Sequence, residues 1–158
     1  MTRSMRIGAV AASVLTVLSL SACQAGRSAQ TSQDYVAVDG RSANLPEDAS
    51  FDDPYLALRN AFVEDLGSSH AAVVTVVNNT DAPDVLLSVA IGGQPTTLSS
   101  GPLDFGAGQS VTVGTGGQAT AVAEGVDAAP GDWTTMTVTF QEAGVAEIPV
   151  LVSPPVAS

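Results

Sequence analysis

From Pro54 onward, short apolar runs alternate with turn-forming residues at a spacing that predicts strands and not helices. Residues 71–77 are almost entirely apolar, which is typical of a strand in the middle of a sheet that is covered on both faces. Within residues 134–140, polar and apolar side chains alternate from Thr135 to Phe140, and residues 145–152 place an apolar residue at every second position. Both segments therefore predict strands with one face towards a core.

Turn signals separate these runs every 8 to 12 residues. Gly92-Gly93 is typical of a two-residue hairpin, residues 78–83 form a turn rich in Asn, Asp and Pro, and Pro95 marks an edge position. About seven or eight strands are expected in roughly 100 residues, which is the signature of an all-β, immunoglobulin-like β-sandwich. We expect this domain to span residues 55–153, with a short tail at 154–158.

Residues 23–54 are rich in Ser, Ala, Gln and Asp and show neither a helical nor a strand period, so they predict a flexible, disordered tether. Its acidic side chains include Glu47, Asp48, Asp52 and Asp53, whose mutual repulsion would extend the segment. Their spacing does not match a calcium-binding loop of the EF-hand type. Whether the tether binds cations stays open.

The amino terminus has the layout of an export signal. Arg3 and Arg6 precede an apolar run over residues 7–20, and small residues follow it. The run has about 14 residues, whereas a retained transmembrane helix needs roughly 20. We therefore expect residues 1–22 to be a cleaved signal peptide.

Leu20-Ser21-Ala22-Cys23 resembles the lipobox of bacterial lipoproteins. The resemblance implies that the thiol of Cys23 carries a diacylglycerol anchor with further acylation and becomes the first residue of the mature chain. Cys23 is the only cysteine, so no intramolecular disulfide competes for it. The expected location is the extracytoplasmic face of the cell membrane, with membrane lipid as a partner through Cys23.

The charge balance excludes one class of partner. The chain has a formal net charge of −11 and no lysine. Removal of residues 1–22 leaves three arginines against 16 acidic side chains, a net charge of −13. Phosphate binding needs clustered cations, so nucleic acid is not an expected partner.

No pattern in the sequence points to an enzyme. His70 is the only histidine, which excludes a two-histidine metal site or a conventional catalytic triad within one chain. It is expected in a loop just before a strand. Trp133 follows a Pro-Gly-Asp turn and is predicted to be a core aromatic residue. Paired carboxylates acting on envelope glycans remain an alternative that only a cleft would support.

A succession of turns and strand ends resembles a known family. The matching segments, in order, are 76–81, 84–86, 92–94, 105–111, 130–132, 138–140 and 143–150. Over residues 56–152 they look like the LpqE-type lipoproteins of mycobacteria and related actinobacteria, and more distantly they are similar to the PCu(A)C copper chaperone domain. The resemblance implies a cupredoxin-like β-sandwich in the cell envelope.

In that copper chaperone family, Cu(I) is held by histidine and methionine side chains. The corresponding stretches here, residues 118–122 and 96–100, contain neither residue type. Only His70 and Met136 remain as weak candidate metal ligands after cleavage, and Met136 lies on the predicted core face of a strand. We therefore expect no metal site and no cofactor.

The sequence thus favours a lipid-anchored, non-catalytic binding or interaction module of the cell envelope, whose partner is an envelope protein or a small ligand. A copper metallochaperone-like protein is the alternative. The binding surface is expected in loops at one end of the sandwich, residues 78–83 together with residues 114–118.

Overall fold

The computed structural model describes residues 40–50 and 52–154, which form eleven strands and no helix. The prediction of an all-β sandwich is confirmed. The predicted signal peptide, Cys23 and most of the predicted tether lie outside the described residues. The strands are β1 (Arg41–Leu45), β2 (Leu56–Asp65), β3 (Ser69–Asn78), β4 (Asp84–Ile91), β5 (Gln94–Pro95), β6 (Thr97–Leu98), β7 (Leu103–Phe105), β8 (Ser110–Val113), β9 (Ala121–Glu124), β10 (Trp133–Phe140) and β11 (Val145–Ser153).

The strands form two sheets that meet along one side. In the first sheet, β2 lies between β1 and β3, while β8 and β9 share the other edge of β3 and β6 lies beside β9. In the second sheet, β4 lies between β10 and the two short strands β5 and β7, and β11 follows β10. A parallel pairing of β11 with β2 joins the sheets, so the sandwich is nearly closed.

The core lies between the two sheets and is built from alternate residues of each strand. Met136, Val138 and Phe140 are buried, as the alternation in β10 predicts. The rings of Phe105 and Phe140 meet edge to face with their centroids 6.1 Å apart, a preferred geometry for aromatic pairs. Each fully buried aliphatic or aromatic side chain contributes about 1.5–3 kcal/mol relative to exposure, so this face dominates the stability of the fold.

The assignment of residues 41–45 to the tether is wrong, because they form β1 and pair with β2. The guanidinium of Arg59 donates to the carbonyl oxygens of Ala43 and Leu58, at 3.0 and 2.9 Å, and to Asn44 Oδ1 at 3.0 Å. This edge strand has too few apolar residues for its sequence pattern to predict a strand. It is held by contacts from β2 that only the tertiary structure supplies.

A bulge in β2 accompanies this pairing. Asn60 has a φ of +53°, a left-handed conformation that asparagine tolerates better than most residues. The register shifts at this point in the pairings with both β1 and β3. A Cβ on Gly40 would collide with the side chain and backbone of Asn60, so glycine is required where β1 approaches the bulge.

The chain that returns from the predicted hairpin turn at Gly92-Gly93 is divided between the two sheets. β5 pairs with β4 in the second sheet, whereas β6 pairs with β9 in the first. Thr96 lies at the crossing and bonds to the carbonyl oxygen of Val89 through its backbone N–H (3.1 Å) and its hydroxyl (2.7 Å). Such divisions explain why the structure has more strands than the seven or eight expected.

The described residues contain no helix that could span a membrane.

Candidate functional site: a groove at the Asn78 end

Several connections meet at one end of the sandwich. β3 ends at Asn78 opposite the start of β2 at Leu56, and β4 begins at Asp84 opposite Phe105. β10 ends there too, because Phe140 pairs with Leu86 near the start of β4. We call this end of the sandwich the Asn78 end.

Asn78 fixes the loop that leads from β3 to β4. Its side chain is wholly buried; Nδ2 donates to the carbonyl oxygen of Ala82 at 2.8 Å, and Oδ1 accepts from the backbone N–H and the hydroxyl of Thr80. A buried amide with both ends bonded holds a loop in one conformation, because breaking either bond leaves a buried polar group unpaired. Residues 78–83, one of the two predicted binding loops, are therefore fixed in place.

Asp84 fixes a second loop, the turn between β10 and β11. Only 5% of its surface is exposed. Oδ1 accepts the backbone N–H of Val85 at 2.7 Å and of Glu142 at 2.9 Å, and Oδ2 accepts the N–H of Ala143 at 3.0 Å. A single carboxylate thus ties the start of β4 to a turn 58 residues further along the chain. No sequence motif marked Asp84 for this role.

Between these fixed loops lies an open groove made of two adjoining hollows of about 570 and 390 Å³. Both hollows are lined by Ala82, Pro83, Asp84 and Glu142. Phe105 and Leu56, which are almost wholly buried, lie beneath the larger and the smaller hollow respectively. Leu45, Pro46 and Pro54 contribute apolar surface to the smaller one. We call this feature the Asn78-end groove.

Among the described residues, the charged groups that line the Asn78-end groove are all carboxylates, namely Asp84, Asp104 and Glu142. The Asp84 carboxylate accepts three backbone N–H groups. Asp104 and Glu142 are exposed to solvent, and Glu142 Oε1 also accepts a hydrogen bond from Gln141 Nε2 at 3.0 Å. Neither arginine of the described residues, Arg41 or Arg59, lines the groove. The groove therefore combines a fixed, partly apolar surface with negative charge at its rim.

The second predicted binding loop, residues 114–118, is not brought to this end. β8, which precedes it, ends at Val113 opposite Val74 in the middle of β3. A Cβ on Gly114 would lie 3.0 Å from Val73 Cγ2, and Gln118 Oε1 accepts the backbone N–H of Thr112 at 2.6 Å. The loop lies along the side of the first sheet, so the structure does not unite it with residues 78–83.

His70 lies at the opposite end of the sandwich and belongs to β3, so its assignment to a loop is wrong. It is buried, with 6% of its surface exposed. Nε2 is 2.9 Å from the carbonyl oxygen of Ala128. A carbonyl only accepts, so Nε2 carries the proton in this contact. Nδ1 is buried and has no hydrogen-bond partner among the described residues. Asp65 is 4.0 Å from Nε2 and accepts the N–H of Gly67.

Met136 is wholly buried on the core face of β10, where the sequence placed it. It lies opposite Ile91 and Ile148 in the pairings with β4 and β11. Among residues 40–50 and 52–154, no three His, Cys, Asp or Glu side chains are grouped so that they could hold a metal ion. His70 offers one free ring nitrogen and Met136 one thioether, so these residues do not supply the histidine–methionine set that the resemblance implies for Cu(I).

Trp133 is not a core residue, contrary to the prediction. Its side chain lies on the outer face of β10 with 60% of its surface exposed. The guanidinium carbon of Arg41 lies 5.5 Å from the ring centroid, within the range of a cation–π contact. The alternation that places Met136 inside also places Trp133 outside, because the two are three residues apart.

The acidic residues before β2 show one defined interaction. Asp53 Oδ2 accepts the hydroxyl of Ser50 at 2.6 Å and its backbone N–H at 2.9 Å. The hydrogen bond from the Ser50 hydroxyl and, to a smaller extent, the one from its backbone N–H lower the pKa of Asp53 below its usual value. Both bonds stabilise the ionised carboxylate. This contact shapes a local turn.

Comparison with known proteins supports the fold class alone. No family model and no curated protein matches this sequence significantly. Solved β-sandwich domains do match the structure. The copper-bound PCuAC domain from PmoF2 is 20% identical, with a TM-score of 0.55, over 63% of this chain and 93% of that chain.

A second matching structure is the apo PCuAC domain from PmoF1, again 20% identical with a TM-score of 0.55, over 63% of this chain and 94% of that chain. The apo PmoF2 PCuAC domain is 19% identical, with a TM-score of 0.51. The chain therefore has the fold of PCuAC domains. The PCu(A)C part of the sequence resemblance is confirmed at the level of the fold.

Proposed function

We propose that this protein is a lipid-anchored, extracytoplasmic and non-catalytic binding module of the cell envelope, related to LpqE-type lipoproteins. Cys23 holds it on the membrane, and the Asn78-end groove receives its partner. The observation that carries the proposal is the groove itself, whose two rims are fixed by buried Asn78 and Asp84. A surface prepared in this way binds at a lower conformational entropy cost than a mobile loop.

The anchor is tested with Cys23→Ser, which removes the thiol but preserves the size of the side chain. The expected result is loss of the lipid mass increment, accumulation of the unprocessed chain and release from the membrane fraction. Ser28→Ala, five residues further on, is the matched control and leaves all three unchanged. Unaltered processing and membrane association of Cys23→Ser would refute the anchor.

The groove is tested by placing a photo-reactive amino acid at Gln109, an exposed residue of the groove. The matched control places it at Gln94, which is exposed in β5 outside the groove. Irradiation of living cells should give a discrete crosslinked product from position 109 and none from position 94. Equal products from both positions, or none from either, would count against a binding role for this end.

A copper chaperone-like function is the second candidate, because the matching structures are PCuAC domains and one of them is copper-bound. In this chain such a role would depend on His70 Nδ1, which is buried and unpartnered, and on Met136. The full chain, titrated with Cu(I) against a competing chelator, distinguishes the two candidates. Stoichiometric uptake that is lost in both His70→Ala and Met136→Leu would favour copper. No uptake would favour the binding module.

A further inference from the structure

We propose that the partner of the Asn78-end groove is a polypeptide segment in extended conformation that carries apolar side chains next to lysine or arginine. The inference rests on the proposed function, since it specifies what that groove receives. Three properties of the groove point to this class of ligand.

The first property is charge. Asp104 and Glu142 are exposed and line the larger hollow. The two described arginines are engaged elsewhere, Arg59 with β1 and its own strand and Arg41 with Trp133. An anionic ligand would find no cation among the described residues of the groove and would be repelled by both carboxylates. A cationic segment gains attraction from each of them, which also raises its rate of association.

The second property is the apolar surface between the charges. The side chains of Ala82 and Pro83 are exposed and line both hollows. Leu45 and Pro46 extend this surface in the smaller hollow. A purely hydrophilic cation, such as a free polyamine, would leave this area in contact with water. Apolar side chains flanked by cations satisfy both parts of the groove.

The third property is shape. The groove consists of two adjoining hollows that are both open to solvent, in place of one enclosed cavity. Small ligands are usually held in cavities that bury most of their surface. An extended segment directs every second side chain to the same side, so apolar side chains two residues apart can enter the two hollows while the backbone stays outside.

The test uses four fluorescein-labelled synthetic peptides of equal length and the full chain purified in a non-ionic detergent. The first carries two leucines flanked by lysines. In the second and third, serine or glutamate replaces lysine, and in the fourth, serine replaces leucine. Fluorescence anisotropy should show that the lysine–leucine peptide binds about fivefold or more tightly than the serine–leucine peptide, because two exposed ion pairs are added. The glutamate and leucine-free peptides should bind more weakly still.

Matched charge variants locate the effect. Asp104→Asn with Glu142→Gln removes two charges from the groove and should abolish the preference for lysine over serine. Glu124→Gln with Asp127→Asn removes two exposed charges outside the groove and should leave the preference intact. Asp104→Lys with Glu142→Lys should reverse it in favour of the glutamate peptide. All these positions are exposed, so folding is preserved.

Equal affinity for the lysine, serine and glutamate peptides would overturn the inference, as would the same response from both double neutralisations. These outcomes are separable from failure of the proposed function. A crosslinked product from position 109 without any charge preference would leave the binding module standing and refute only the partner chemistry. Absence of both crosslinking and peptide binding would refute the two together.

Discussion

Replacing Asp84 with asparagine tests the reasoning about the Asn78 end most directly. The substitution keeps the shape of the side chain and one acceptor oxygen. An amide nitrogen, which donates hydrogen bonds, takes the place of Oδ2 and faces the N–H of Ala143. The bonds to Val85 and Glu142 survive as neutral bonds, while the third becomes a contact between two donors.

The magnitude follows from these three bonds. A hydrogen bond to a charged group contributes about 1.5–3 kcal/mol, and a neutral one about 0.5–1.5 kcal/mol. Losing one charged bond, and converting two others to neutral bonds at about 1–1.5 kcal/mol each, should lower the free energy of unfolding by about 3.5–6 kcal/mol. For a domain of this size, each kcal/mol corresponds to about 4 °C in the melting temperature. The expected drop in the melting temperature is therefore roughly 14–24 °C.

Urea denaturation followed by far-ultraviolet circular dichroism measures this change. Asp104→Asn is the matched control, because Asp104 is an exposed aspartate of the same groove. We expect the control to change the free energy of unfolding by about 0.5 kcal/mol or less. If Asp84→Asn and Asp104→Asn lie within that margin of each other, the carboxylate does not hold the turn between β10 and β11.

Two further predictions concern other parts of the sandwich. Gly117→Ala should lower the free energy of unfolding by about 2 kcal/mol or more in urea denaturation, because a Cβ there would collide with the carbonyl group of Thr112. At Gly116 a Cβ would meet open space, but φ is +78°, so Gly116→Ala should lower the free energy of unfolding by only about 1–2 kcal/mol. A larger loss for Gly116→Ala than for Gly117→Ala would contradict the packing at Thr112. Trp133, the only tryptophan, should emit as a solvent-exposed indole and be quenched readily by acrylamide in the native protein. Arg41→Ala should lower the free energy of unfolding by about 0.5–1 kcal/mol, because the cation–π contact with Trp133 is lost. Blue-shifted emission that is protected from acrylamide would show that Trp133 is buried.

The strand periods could be read from the sequence because alternation is a local property. The buried face of β10, with Met136 and Val138, and the apolar run in β3 follow from side-chain order alone. The prediction that Trp133 is a core residue rested on its aromatic character. The alternation of β10 places Trp133 on the face opposite to Met136, which is the exposed face. The apolar run predicts a strand over residues 71–77, whereas β3 begins at Ser69. His70 therefore lies inside the strand and not in the loop before it.

The groove could not be read from the sequence because its parts are far apart along the chain. Asp84 is one carboxylate among 16 acidic side chains. The N–H of the adjacent Val85 is a local donor, and only the approach of the turn at Glu142 and Ala143 adds two more. Residues 114–118 have turn composition as clear as residues 78–83. Only the register of β8 against β3 separates the two loops in space.

The sequence by itself determined the all-β class, the positions of most long strands and the strongly acidic charge, because each depends on composition or on neighbours within a few residues. It also gave the grounds for proposing an anchor at Cys23. The tertiary structure alone decided that residues 41–45 join a sheet, that the two sheets meet through β11 and β2, and that carboxylates frame an apolar groove. These features arise from contacts between residues distant in the chain, which no local pattern encodes.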